Sequence, residues 1–596
     1  MVGLVLVVSL VFVVVTARLV ALRLFGREED ANDRAVATAL VAMVLPIAIV
    51  RVLGAFGLLR PSYLVLATLL VASVVCGASK RTVRDELFAP MRQAFTRLAG
   101  LGRQPMLVLV AFAGVAGLAL AVTAAALLPI WAWDALSYHL PIVYDALQTG
   151  WLREVPTHVL YVNGYPRHAE LFFTYVRGLL PNDDLLDLAQ LPFALAAVVA
   201  IAALARRAGA SFERAVSFGV AYLAIPLVSM QLATNYVDIA YAAALLLALY
   251  FVTAPLSKAH IACAGLAIGL LLGIKPTAPP AVALLSFVLL VRGRRARLVA
   301  PSLVALLVAA LWGGESYVRN LVVYGNPIWP ISLRLGPITL EGPADGTPMF
   351  TLGLPAPYSE YGWLRRLFVS LFVEPLPPIF DMRLGGFGPA FALLVVLAAV
   401  GLWQSASLRI VVALAAVASF ATPAAHWLRY SLVIPAVLLA VAACARFRFP
   451  LVRHGADVAL AALLFVGLVR ALPGFTGEGP PLWEVARMPA ELRERAMVAD
   501  GPEGPWVDAK ARLQPGEAFA YDDSLALPGR LARSDGTTRI VYVPPELAPA
   551  DARAWADAEN VRLLALRDGS PIAEALDAVP RFRCFYGDCV VYERGP

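Results

Sequence analysis

Apolar runs long enough to cross a bilayer as helices follow one another from the N-terminus to about residue 472, and nothing else in the chain limits its fold as strongly. A hydrocarbon core about 30 Å thick takes roughly 20 helical residues, and backbone polar groups inside it must find partners within the segment. Hydrophobic residues fill 60% of the 596 positions and charged residues 15%. A soluble globular chain is excluded, and the fold class is α-helical polytopic membrane protein. Residues 1–16 lack a basic start and a small-residue cleavage site, and more spans follow, so a retained first helix is expected and not a removed signal peptide.

The runs divide into fourteen expected spans, at about 2–22, 36–58, 62–79, 105–130, 185–205, 215–233, 238–256, 259–274, 277–291, 298–318, 388–406, 408–424, 430–445 and 456–472. The pair flanking Lys275-Pro276 is short, and the second span contains Arg51. This division puts Lys80/Arg81/Arg84, Arg206/Arg207/Arg214, Arg292/Arg294/Arg295/Arg297 and Arg446/Arg448/Arg453 on one side, which the positive-inside rule makes cytoplasmic. The net charge of +7 is thus an orientation signal and not a nucleic-acid footprint. Both termini then lie outside, with the loops 131–184 and 319–387. Three parts are expected: N-terminal transmembrane helices over 1–104, a transmembrane core over 105–472 and an extracytoplasmic domain over 473–596.

The run 105–130 is followed directly by Trp133-Asp134-Ala135-Leu136-Ser137-Tyr138-His139-Leu140-Pro141, which sets a lone carboxylate just beyond a membrane boundary. Leu140, Val143, Tyr144 and Leu147 recur at helical spacing, so 138–152 is expected to lie on the membrane surface as a helix. Asp134 can cap that helix by accepting backbone N–H bonds, or it can be catalytic; the two roles are compatible.

Further segments stand in a fixed order behind it: Tyr165-Pro166-Arg167-His168-Ala169-Glu170-Leu171, Asn235-Tyr236-Val237-Asp238, Gly273-Ile274-Lys275-Pro276-Thr277, Gly325-Asn326-Pro327-Ile328-Trp329-Pro330 and Arg429-Tyr430. As an ordered set over about 130–435 they resemble the GT-C glycosyltransferase superfamily, which includes protein O-mannosyltransferases and bacterial aminoarabinose transferases of lipid A. The resemblance implies a sugar donor on polyprenyl phosphate, an extracytoplasmic lipid, glycan or protein acceptor, and Asp134 as the base that activates it. Many relatives carry a second acid next to that Asp; here the position is Ala135, which weighs against a metal bridged by adjacent acids.

The chemistry asks for the same groups. An inverting transfer needs a carboxylate to take the acceptor's proton and cations to stabilise the departing phosphate. Lys275, Arg429, Arg167 and Arg319 are basic residues near outer ends of spans, with snorkelling to the interface as the other reading of Arg429 and Arg319. Lys275 interrupts an apolar stretch ahead of a proline, so a helix break and an anion site are expected there. Asp238 is read as a sugar-hydroxyl acceptor or support for Asp134, or as a cap for a helix starting at Ile239. Tyr138, His139, His168 and Glu170 complete the expected substrate contacts. His168 and Glu170 are two residues apart and diverge in a helix, so they can share a metal only on extended backbone with His139 or Asp134. No cofactor is required, and a divalent metal stays open. His260 and His454 fall inside and are expected to be solvated.

The loop 319–387 is rich in Pro and Gly, with Tyr358, Tyr361 and Trp363 ahead of Arg365/Arg366; it reads as a lid or as an interfacial aromatic belt. From about 471 the composition turns charged and Pro-rich. Strands are expected at 518–521, 539–543, 561–565 and 589–592 and helices at 549–559 and 572–579, giving a small α/β domain without a nucleotide fingerprint or nucleophile elbow. Cys584 and Cys589 have turn-like spacing in an oxidising compartment and are expected to form a disulfide, while Cys76, Cys263 and Cys444 sit in apolar spans.

The expected protein is a GT-C-like glycosyltransferase with about fourteen helices in a bacterial-type inner membrane, contacting lipid and no nucleic acid. A lipid or sugar-lipid transporter or flippase would call for paired charges at mid-membrane and related halves. A non-enzymatic assembly or sensory protein leaves the Asp134 loop unexplained, and the early position of that loop argues against an O-antigen ligase or polymerase.

Overall fold

A computed structural model of the chain describes residues 3–26, 30–80, 87, 100–335, 337–345, 354, 356–374, 379–381, 384–420, 425–498, 501–585 and 588–595. Arg81 and Arg84 of the first basic group lie outside the described residues.

Among the described residues six helices are long and apolar enough to cross a membrane: Gly3–Phe25, Ala31–Ala55, Pro61–Ala78, Pro105–Leu127, Leu186–Arg207 and Pro450–Phe475. Two bent pairs raise the number to eight if each is one span, Val299–Gly313 with Glu315–Tyr324 (63°) and Ala390–Gln404 with Ala406–Phe420 (115°). Other expected spans are shorter, such as Asp238–Thr253, Lys258–Leu272 and Val433–Ala442. The expected span 215–233 is broken into Phe212–Ala221, a 3-10 turn at Tyr222–Ala224 and Pro226–Gln231. Pro226 cannot donate to the preceding turn, so the chain bends where it enters. Residues 238–252 are buried on every side, which is why this stretch is apolar all round.

Small residues let the helices approach. A side chain at Gly114 or Gly117 of Pro105–Leu127 would strike the backbone of Val220 or Leu223, and one at Gly265 of Lys258–Leu272 would strike Ala305.

Basic turns gather at one end. Arg207 donates to the carbonyl of Tyr250 (2.9 Å), Arg292 to that of Ala254 (2.8 Å), and Arg214 to both Asp457 oxygens (2.9 and 2.8 Å), while Arg446 lies beside Gly209. His260 is not solvated: it is buried, 3.2 Å from Asp33 and 2.7 Å from the Ser257 hydroxyl. Asp33 supplies the anion that keeps a ring in this interior.

The opposite end carries the loops. The expected surface helix begins as a π-turn at Ala135–His139 and continues as Leu140–Thr149, closed by Gly150 at φ 83°. The helices Leu160–Gly164 and His168–Leu179 follow. In the second loop, β1 (Ile331–Leu335), β2 (Ile338–Leu340) and β3 (Ala344–Asp345) form a small sheet ordered β2-β1-β3. The C-terminal domain is a five-stranded sheet of β4 (Ala518–Tyr521), β5 (Arg539–Tyr542), β6 (Val561–Arg567), β7 (Val579–Arg583) and β8 (Cys589–Glu593), ordered β5-β4-β6-β8-β7. β4 runs parallel to β5 and β6; β8 is antiparallel to β6 and β7. The helix expected at 572–579 stops at Ala575, and 579–583 form an unforeseen strand on the sheet edge, where Pro580 is tolerated. Cys584 and Cys589 are disulfide-bonded, Cα to Cα 5.3 Å.

Candidate functional site

Asp134 follows the C-terminal end of Pro105–Leu127, and its backbone N–H donates to the Tyr236 hydroxyl at 3.2 Å. Among the described residues its carboxylate makes no cap hydrogen bond to the turn that follows. The acid instead faces Arg429, whose Nη1 lies 2.9 Å from Asp134 Oδ2 and 3.0 Å from Asp381 Oδ1. Arg429 sits on the 3-10 turn Leu428–Ser431 and is 7% exposed, so it does not snorkel. Its guanidinium lies 5.2 Å from the Tyr236 ring centroid and 5.0 Å from that of Tyr430, and Nη2 donates to the Tyr430 hydroxyl at 3.3 Å.

Lys275 also meets Tyr430, its Nζ 3.7 Å from the ring centroid, and it is ion-paired with Asp238. The chain breaks around it: one helix ends at Leu272 and the next begins at Pro279. The Tyr317 hydroxyl donates to the freed carbonyls of Leu272 (3.2 Å) and Lys275 (3.1 Å). Asp238 is the first residue of its helix, and its carboxylate is paired with Lys275.

Behind Asp134, Tyr138 packs edge-on against Tyr161 (5.7 Å) and Tyr165 (5.8 Å). His139 Nδ1 is 2.6 Å from Glu170 Oε1, both residues fully buried. His168 and Glu170 do diverge on their helix, and the histidine goes elsewhere. Its Nε2 is 3.1 Å from the Trp312 carbonyl and Nδ1 3.4 Å from that of Leu270, and its ring fills the space over Gly273. The expected substrate contact at His168 therefore gives way to a helix-to-helix tie. Burial and nearby Arg51 push its imidazole down to about 3, so a single N–H serves one of the two carbonyls. Arg167 and Arg319 form a second basic pair. Arg167 donates to the Arg153 carbonyl (2.9 Å) and Asn163 Oδ1 (2.7 Å), Arg319 to Asn320 Oδ1 (3.1 Å), and among the described residues neither has a carboxylate ion-pair partner.

Burial alone would raise the Asp134 carboxyl, but the Arg429 guanidinium and His139 outweigh it and hold the group below the ordinary carboxylate range. Burial pulls Lys275 down to about 8 against the opposing pull of Asp238. The site thus gathers three carboxyl groups, Asp134, Asp238 and Asp381, around two cations, Arg429 and Lys275. Among the described residues no three His, Cys, Asp or Glu side chains stand together as a metal cage requires. Asp381 is the partner of Arg429 that the sequence does not announce; a lone acid in a Pro-rich loop gives it no distinguishing signal.

No protein-family model matches the chain, and no curated protein matches it. Its structure is similar to the crystal structure of ArnT from Cupriavidus metallidurans in the apo state, with a TM-score of 0.49 and 14% identity over 84% of this chain and 100% of that one. For ArnT of the same organism bound to undecaprenyl phosphate the TM-score is 0.45 and the identity 13%, over 81% of this chain and 98% of that one.

Proposed function

We propose that this chain is a GT-C-type membrane glycosyltransferase that moves a sugar from a polyprenyl phosphate carrier to an extracytoplasmic acceptor with inversion. The observation that carries this reading is the Asp134 carboxyl group set against Arg429, with Lys275 and Arg429 both against the ring of Tyr430. Asp134 takes the proton of the acceptor hydroxyl as its oxygen bonds to the anomeric carbon. The bond from that carbon to the phosphate oxygen breaks, and its electron pair leaves with the polyprenyl phosphate. As Asp134 becomes neutral its hold on Arg429 weakens. Arg429, still bound to Asp381, then joins Lys275 in stabilising the leaving anion. Asp238 orients Lys275; Tyr138, His139 and Glu170 orient Asp134; Arg167 and Arg319 supply a second basic patch for anionic parts of the substrates.

The apolar segments are proposed to make fourteen crossings in a bacterial-type inner membrane, with this site and the C-terminal domain outside. The separation of the basic turns from the Asp134 end supports that orientation. No metal is assigned a role. A transporter is disfavoured because the buried ion pairs of this site lie beside the outer loops. Mass spectrometry of envelope glycans and lipid-linked sugars in a deletion strain tests the function. One glycan modification should vanish while its lipid-linked sugar accumulates; an unchanged profile in both pools overturns it.

A further inference from the structure

The segment that carries Asp134 is held from outside the membrane core. Directly after Asp134 the chain makes a π-turn at Ala135–His139, a wide turn that rarely persists without support. One support is internal, the His139–Glu170 pair. The other comes from the C-terminal domain, where the 3-10 turn Pro528–Leu531 packs on the π-turn. Gly529 touches it so closely that a Cβ there would stand 2.7 Å from the Leu136 carbonyl oxygen and 3.0 Å from its Cα. Both are backbone atoms, so a side chain at 529 can be accommodated only by moving one turn or the other.

Gly529 is itself fixed. The neighbouring Arg530 is buried against Glu503 at 2.7 Å, and its guanidinium lies 5.1 Å from the Trp506 ring centroid. The whole domain is tied to the outside loop around the same place. Gln148 acts as a neighbouring strand for the edge strand β5, donating to the Ile540 carbonyl at 3.3 Å and accepting from its N–H at 3.0 Å. The Ser534 carbonyl accepts from Arg177 (3.1 Å) and from the Asp183 N–H (3.0 Å). Both ties follow Gly529 within eleven positions of the chain, and the same 3-10 turn packs on Leu140–Thr149, so the domain bears on the helix and on the turn that leads into it.

We propose that Gly529 is a positioning residue: docked through Gln148, the C-terminal domain presses the turn after Asp134 into the geometry in which that acid meets Arg429. The inference rests on the reading of Asp134 as the base. It assigns the domain a role in the reaction beyond covering the core, because the first residue before the contacted turn is the reacting acid.

Hydrogen exchange of the purified full chain, compared with Gly529→Ala and Gln148→Ala, tests it. Peptides over 131–140 should exchange about tenfold faster in both variants, with the buried helix Asp238–Thr253 unchanged. With lipid-linked sugar extracted from envelopes as donor, turnover should fall about tenfold while the KM for donor stays at the parent value, since donor contacts are untouched. Unchanged exchange at 131–140, uniform acceleration along the chain, or faster exchange without loss of turnover each overturns the proposal. Gln148→Ala adds no atoms and carries the test if Gly529→Ala does not accumulate. A parent that consumes no donor defeats the glycosyltransferase reading instead, and the exchange data still decide whether Gly529 holds the turn.

Discussion

Arg429 Nη1 meets Asp134 Oδ2 at 2.9 Å although 295 positions separate the two residues in the chain. The pair joins the loop after Pro105–Leu127 to the turn before one of the last helices, so the acid is placed by the closure of the whole helical core. Because Arg429 also holds Asp381, the guanidinium keeps a partner when Asp134 is neutral. Asp134→Asn should therefore preserve abundance and membrane insertion while transfer falls on the order of 10²-fold or more, the loss expected for a general base. Activity within a few-fold of the parent, measured on purified protein, would return Asp134 to a structural role.

Arg429→Gln tests the other half of the pair. With the cation gone, burial is the strongest remaining influence on Asp134 and acts to raise its carboxyl. The sign follows: a base held low works at neutral pH, and one that has risen works only after pH climbs past its new value. The acid limb of the pH–turnover profile should move upward in Arg429→Gln relative to the parent. A profile lowered uniformly without a shift would mean that Arg429 does not govern this acid.

The reach of sequence reasoning was set by distance along the chain. Asp134, Lys275 and Arg429 stand out because each is a charge at the edge of an apolar run, a local signal that survives without structure. Their pairing is not local: nothing near Asp134 announces Arg429, and nothing near Lys275 announces Asp238. For the same reason His168 reads as a site residue beside Glu170, when its ring is buried between the carbonyls of Leu270 and Trp312. The apolar runs are legible as periodic hydrophobicity, yet the bend at Pro226 and the edge strand at 579–583 show tertiary packing overriding run length.

Lys275 carries a distinct pH dependence. Burial draws its ammonium down to about 8, so the cation is present below that pH and lost above it. Donor affinity should fall as pH rises through about 8, whereas Lys275→Arg should bind with a flat profile and Lys275→Ala weakly throughout. The measurement is equilibrium binding of lipid-linked donor from pH 6.5 to 9.5, a range of roughly 1.5 units on either side of the expected transition. Equal affinity of the parent at both ends of that range would remove Lys275 from the phosphate site.

The disulfide closes a short loop, five positions from Cys584 to Cys589. Loop-closure entropy for so few residues is worth about 2 kcal/mol at most. Cys584→Ser with Cys589→Ser should lower the melting temperature of the C-terminal domain by a few degrees and leave turnover near the parent value, since the bond stands at the far edge of the sheet from β5, which meets Gln148. Loss of transfer would show that the β7–β8 end of the sheet also reaches the site.

Orientation is the expectation on which the rest depends, and burial dictates how it must be measured. Asp238 is 3% exposed, so a cysteine there would resist any reagent from either side. Trp151 is 49% exposed on the loop that follows Leu140–Thr149, and Arg294 is exposed in the last turn of Pro279–Arg295, so these two positions report their own sides. Of the native thiols Cys263 and Cys444 are buried and Cys584 and Cys589 are bonded, while Cys76 is free and partly exposed and is changed to Ser in both test proteins. An impermeant maleimide on intact spheroplasts should label Trp151→Cys and spare Arg294→Cys, with both labelled after lysis. Both positions stand at ends of the helical core joined by charge as well as by length: basic turns around Arg207, Arg292 and Arg446 at one, Asp134 and its partners at the other. Labelling of position 294 in intact spheroplasts would reverse the orientation, place Asp134 in the cytoplasm, and remove the extracytoplasmic acceptor from the proposed reaction.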